Sequence, residues 1–147
     1  MILGATGHRI ITNYDKTYLA IQNHLNELEP EYTISGVAVG FDQLFAVICI
    51  RLNIPFIAAV PFIGQESKWP DHIQKQYHKI LTKAKEVIIV SSGDFSKEKF
   101  QIRNEFIVNN SDKILAYYNG KPSGTGNCVN FADKNNKEII RINPMEF

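Results

Sequence analysis

Cysteine is scarce in this chain. Cys49 and Cys128 are its only two, too few and too far apart to frame a disulfide scaffold or a zinc site. An excess of charge of one sign is also missing. Sixteen basic side chains against 15 acidic ones leave +1 over 147 residues, which excludes a strongly basic nucleic-acid surface and a charged disordered tail. No apolar run approaches the roughly 20 residues of a membrane span, and no basic-then-apolar leader opens the chain. A cytoplasmic protein without a membrane partner is expected. Arginine is rare as well, four of the 16 basic residues, so the setting of each one is informative. What is plentiful is apolar: 44 % of the residues, enough for one well-covered core at the usual length of a single domain spanning 1–147.

Segments of two periodicities alternate along the chain. Short apolar runs occupy residues 1–6, 32–35, 54–60, 86–90, 113–117 and 138–142. Between them, apolar residues recur at helical spacing over 15–28, 41–52, 70–85, 98–109 and 127–134. Leu19 and Ile102 fall on the faces that this spacing turns inward. Strands that are continuously apolar need cover on both faces, which a parallel sheet between helices supplies. The pattern predicts an α/β, Rossmann-like doubly wound fold, with a mainly parallel sheet of about six strands between two helix layers.

Ligands of such sheets sit beyond the carboxyl ends of the strands, so the residues that follow each strand are the informative ones. Thr6-Gly7-His8-Arg9 follows the first: a glycine turn, a hydroxyl and a guanidinium fork suited to phosphate. His8 serves equally well as a cap or packing group. Ser35-Gly36-Val37-Ala38-Val39-Gly40-Phe41-Asp42 follows the second, with Gly36 and Gly40 allowing close approach and Asp42 able to cap a helix or accept from a ribose hydroxyl. No Gly-x-Gly-x-x-Gly or Walker pattern is present. Arg103-Asn104-Glu105 lies in the fourth helical segment, an arginine beside a carboxylate that offers either phosphate binding with acid–base work or a plain surface ion pair. Finally, Gly120 to Asn127 forms a glycine-rich loop in which Gly124, Thr125 and Asn127 offer N–H, hydroxyl and amide groups. Each cluster alone also reads as an ordinary turn; four of them after strands are harder to read that way.

Other candidates carry less. Trp69-Pro70 fits a lid over the crevice or, more simply, packing. His72 and His78 lie on different helix faces, so no metal is expected, and nothing calls for a cofactor. Cys49 reads as core. Cys128 as a nucleophile needs a base that the sequence does not identify, and no Gly-x-Ser-x-Gly elbow occurs.

Taken in order, Thr6-Gly7-His8-Arg9, Ser35 to Asp42, Arg103-Asn104-Glu105, Ser111-Asp112 and Gly124-Thr125 resemble the SLOG superfamily, and within it the small stand-alone YspA/YpsA-like branch. The resemblance runs nearly end to end. It implies a Rossmann-like sheet whose glycine loops bind nucleotides or nucleotide-derived molecules, ADP-ribose-type or cyclic signals among them, and, by analogy with relatives, a homo-oligomer. Lonely-guy enzymes of this superfamily carry Pro-Gly-Gly-x-Gly-Thr-x-x-Glu. Here Lys121 to Cys128 stands in its place, with Cys128 where the glutamate belongs. Two functions follow as expectations. The first is a sensor or sponge for a nucleotide-derived small molecule, without strong nucleic-acid binding, held by Thr6, Gly7, His8, Arg9, Gly36, Gly40, Asp42, Arg103, Gly124, Thr125 and Asn127. The second is hydrolysis of a nucleotide N-glycosidic bond, with Glu105 or Asp42 as the acid.

Overall fold

A computed structural model describes residues 1–147. Six strands and five helices alternate: β1 Ile2–Gly7, α1 Tyr14–Leu28, β2 Tyr32–Ser35, α2 Phe41–Arg51, β3 Phe56–Val60, α3 Asp71–Lys83, β4 Glu86–Ile89, α4 Lys97–Asn109, β5 Lys113–Tyr117, α5 Gly124–Lys134 and β6 Glu138–Ile142. The strands form one sheet in the order β4-β3-β2-β1-β5-β6, and every neighbouring pair is parallel. From β1 the chain winds outward through β2, β3 and β4, with α1, α2 and α3 on one face. It then crosses back through α4 to β5, and α4 and α5 cover the other face. β1, β3, β5 and β6 split their side chains between the two layers. Leu3, Ala5, Ala58, Val60, Leu115 and Tyr117 join Ile21, Phe45 and Tyr77 on the first face. Ile34, Ala59 and Ile114 join Ile107, Val108, Cys128 and Ala132 on the second.

The expected fold is the observed one, and the departures are local. α5 begins at Gly124 and not at Asn127, because the Ser123 hydroxyl accepts from Gly126 N–H at 3.0 Å and caps a turn of helix within the glycine-rich segment. β4 lies at the sheet edge, so Val87 and Ile89 are each 41 % exposed and lack the cover that their apolar character implies. Leu19 and Ile102, expected inward, are exposed. Helical spacing fixes a stripe, but neighbouring elements decide how wide a stripe is covered.

The β2–α2 connection is bent sharply. Val37 adopts φ 52°, a left-handed conformation rare for a β-branched residue, while fully buried. The Ser35 hydroxyl accepts from Val37 N–H at 3.1 Å and donates to Asp42 C=O at 3.3 Å, and the Gln43 amide donates to Val37 C=O at 3.4 Å. Ser35→Ala leaves a buried N–H without a partner. We expect it to lower unfolding free energy by about 1–3 kcal/mol in urea titration; an unchanged midpoint would show that the strained turn is held by other means.

Candidate functional site

β1 and β5 are adjacent, yet the chain leaves them toward opposite ends of the sheet and opposite faces. Their carboxyl ends therefore part the connections and open a crevice. A hollow of about 460 Å³ lies there. Thr6, Gly7, His8 and Arg9 form its centre at the end of β1, and Ala38 and Asp42 close it from the start of α2. α4 contributes Lys97, Phe100, Gln101, Arg103 and Asn104, and the first turn of α5 contributes Ser123, Gly124, Thr125 and Asn127.

Arg103 sits in the middle of α4 and is 7 % exposed. Its Nε donates to Asn104 Oδ1 at 3.1 Å, and Nη1 donates to the carbonyls of Gly36 at 3.3 Å and Ala59 at 3.4 Å. Nη2 has no protein partner, and the guanidinium makes no ion pair. Burial lowers its pKa, against the nearby Asp42 carboxylate. A buried cation with one free edge on a polar hollow is a site for an incoming anion.

Arg9 differs. It is exposed at the rim and has neither a hydrogen bond nor an ion pair. The start of α5 completes the positive side. Its helix dipole points at the hollow, and Asn104 Nδ2 holds it in place by donating to Gly124 C=O at 3.4 Å.

Asp42 is the one carboxylate that lines the hollow. Its Oδ2 accepts from Ala38 N–H at 3.3 Å, whereas Oδ1 is buried without a partner. Burial pushes its pKa from 3.8 up to about 6, against the pull of Arg103, the Ala38 N–H and Arg9. Between these two values the unfolded chain has released the proton and the folded chain retains it. Stability due to this group is therefore full below pH 3.8 and falls as pH rises, and above about 6 the whole cost remains, roughly 3 kcal/mol. Asp42→Asn should remove this dependence. Relative to the variant, the wild type is expected to lose about 3 kcal/mol between pH 3 and pH 7 in paired denaturant titrations. Parallel pH profiles would show that the carboxyl titrates normally.

Several expected site residues play other parts. Gly36 and Gly40 do not line the hollow; they let its walls approach. A Cβ on Gly36 would stand 2.7 Å from Arg103 Cζ. Gly40, at φ 90°, lies against the backbone of Arg9. Glu105 is outside the lining and accepts from the Gln101 amide at 3.2 Å. His8 lines the hollow, but its Nε2 accepts from Asn119 N–H at 3.0 Å and burial lowers its pKa, so it is a neutral, fixed wall. Cys128 is fully buried behind Thr6; burial raises its thiol to about 11, against Thr6 and Arg103, so it is no ready nucleophile. Trp69 packs edge-on to Tyr77 and takes no part in the crevice. Sequence reasoning missed Lys97, Phe100 and Gln101, and it held Ala38, Asn104 and Ser123 only as members of their clusters. Phe100, Arg103 and Asn104 share a face of α4 at spacings of three and four, a signal present in the sequence but obscured by the apolar content of that helix.

Comparison with known proteins bears on this geometry. The model of the YspA SLOG family matches residues 11–147, which leaves Thr6 to Arg9 just upstream of the match. The SPbeta prophage-derived protein YoqJ of Bacillus subtilis strain 168 is 34 % identical, over 86 % of this chain and 85 % of its own length. Among solved structures, DNA processing protein A from Helicobacter pylori, described for its single-stranded DNA binding mode, superposes with TM-score 0.73 at 20 % identity. That match covers 96 % of this chain and 64 % of that one. The molybdenum cofactor binding protein of Rippkaea orientalis superposes with TM-score 0.66 at 19 % identity, over 99 % of this chain and 80 % of that one. At these identities the two structures share the fold.

Proposed function

The chain belongs to the YspA SLOG family, and we propose that its crevice binds a nucleotide or nucleotide-derived small molecule, as a sensor or sponge in the cytoplasm. One observation carries this reading: Arg103 and Arg9, 94 residues apart in sequence, open onto the same hollow beside the start of α5. Arg103 Nη2 and the first N–H groups of α5 would hold the phosphate, with Arg9 closing over it from the rim. The Asp42 carboxyl group, part of the lining, would accept from a sugar hydroxyl. Phe100 gives the base an apolar wall, braced edge-on by Phe62 at 5.5 Å and Phe95 at 6.1 Å. Near-zero net charge favours a small anion over a polynucleotide, whose binding needs many phosphate contacts.

Native mass spectrometry of gently purified protein, with thermal-shift screening of nucleoside monophosphates, tests the reading and counts subunits. A co-purified or stabilising nucleotide is expected. Stabilisation by none of them, together with ligand-free spectra, would overturn it.

A second reading, hydrolysis of a nucleotide N-glycosidic bond, is supported by the Asp42 carboxyl group in the lining of the hollow. Asp42 would assist an attacking water; Glu105 is not placed for the task. Released base, seen by chromatography and abolished in Asp42→Asn, is the expected sign of an enzyme. Ligand recovered intact after incubation identifies a binder.

A further inference from the structure

His8 and Arg9 form a ridge, and beyond it lies a second hollow of about 390 Å³, lined also by Ile10, Thr12, Asn119, Pro144 and Met145. The ridge belongs to both hollows. Its two residues are unequal. The His8 ring is fixed by Asn119 N–H and by its packing on Tyr117 and Tyr118. The Arg9 guanidinium has no protein partner, so an anion can take it from either side.

The second hollow has a chemistry of its own. Ile10 is 79 % exposed and Met145 70 %, and both line this one depression. Asn119 lies beside them. Its Oδ1 accepts from Lys121 N–H at 2.9 Å, while its Nδ2 has no partner and remains a donor. Apolar surface beside the Asn119 amide and the Thr12 hydroxyl suits a ring bearing hydroxyl or carbonyl oxygens, a sugar or a base.

We infer that this hollow is a second subsite, and that the ligand is a two-headed nucleotide whose phosphate linker crosses the Arg9 ridge to place a second cyclic group against Ile10 and Met145. The inference rests on the nucleotide reading of the first hollow and specifies its ligand class. A phosphate monoester ends at the ridge and leaves the second hollow empty. A diphosphate carrying a second organic group continues over it, covering exposed apolar surface and engaging Arg9 from both sides.

The test is calorimetric titration of the intact protein with nucleoside monophosphates and with the corresponding dinucleoside diphosphates. The two-headed probes are expected to bind at least about tenfold more tightly, the effect of burying one or two apolar side chains. In the double variant Ile10→Ser, Met145→Ser, that advantage should shrink to about twofold or less, with monophosphate affinity unchanged. The Met145 methyl resonance should shift on adding the two-headed probe to wild type and stay still with the monophosphate.

If monophosphates bind, and the two probe classes bind equally or the double variant weakens both alike, the second subsite is refuted and the first reading stands. If neither class binds, the nucleotide reading itself fails and this inference with it.

Discussion

Gly40→Ala is expected to lower the unfolding free energy by roughly 3–5 kcal/mol. Two independent costs meet at the position. The backbone holds φ 90° and ψ −123°, a region open to glycine and closed to residues with a Cβ. An added Cβ would also stand 2.5 Å from Arg9 C and 2.7 Å from Arg9 Cα. Those atoms are backbone, so no side-chain rotation relieves the contact. Phe41 N–H donates to His8 C=O at 3.1 Å and ties the two loops together at this point. The substitution must therefore separate the β1–α1 connection from the start of α2, displacing Arg9 and Asp42 together. Urea titration should show the lost stability, and ligand affinity should fall with it. A variant as stable as wild type would mean that the two loops can part freely, and the crevice would then not be the rigid cradle described.

That contact also shows what the amino-acid sequence can and cannot disclose. The order of elements was legible because periodicity is local: Tyr32–Ser35, Lys113–Tyr117 and Glu138–Ile142 occur where their β-rich composition places them. The convergence of four loops at one end of the sheet followed from parallel topology alone. Partnership was not legible. Nothing in the sequence says that Gly36 and Gly40 serve by making room for Arg103 and Arg9, or that Glu105 turns to Gln101 and away from the crevice. The two glycine contacts join residues 31 and 67 positions apart, and the Glu105 pairing with Gln101, four positions away, is a choice of side-chain rotamer. β4 misled for a related reason. An apolar strand predicts cover on both faces, but position within the sheet decides whether that cover exists, and strand order has no local signature.

Arg103→Ala should weaken phosphate binding by about 1.5–3 kcal/mol, roughly tenfold to a hundredfold or more, whereas Arg9→Ala should cost less. The asymmetry comes from burial. Arg103 is desolvated and held by two carbonyls and Asn104, so a bound anion meets a fixed cation in a low-dielectric setting. Arg9 stands in water and must give up side-chain freedom to close. Arg103→Lys should not restore affinity, because one ammonium cannot hold both carbonyls and present a free edge to the ligand. Gly36→Ala supplies a separate check, since its methyl group would displace the guanidinium by steric contact without removing it. It should reproduce most of the Arg103→Ala loss, and the double variant should lose little more than either alone, the non-additivity expected of two changes acting through one group. Losses in the double variant that simply add, measured by calorimetry with the same nucleotide, would show that Gly36 shapes the site by some route other than Arg103.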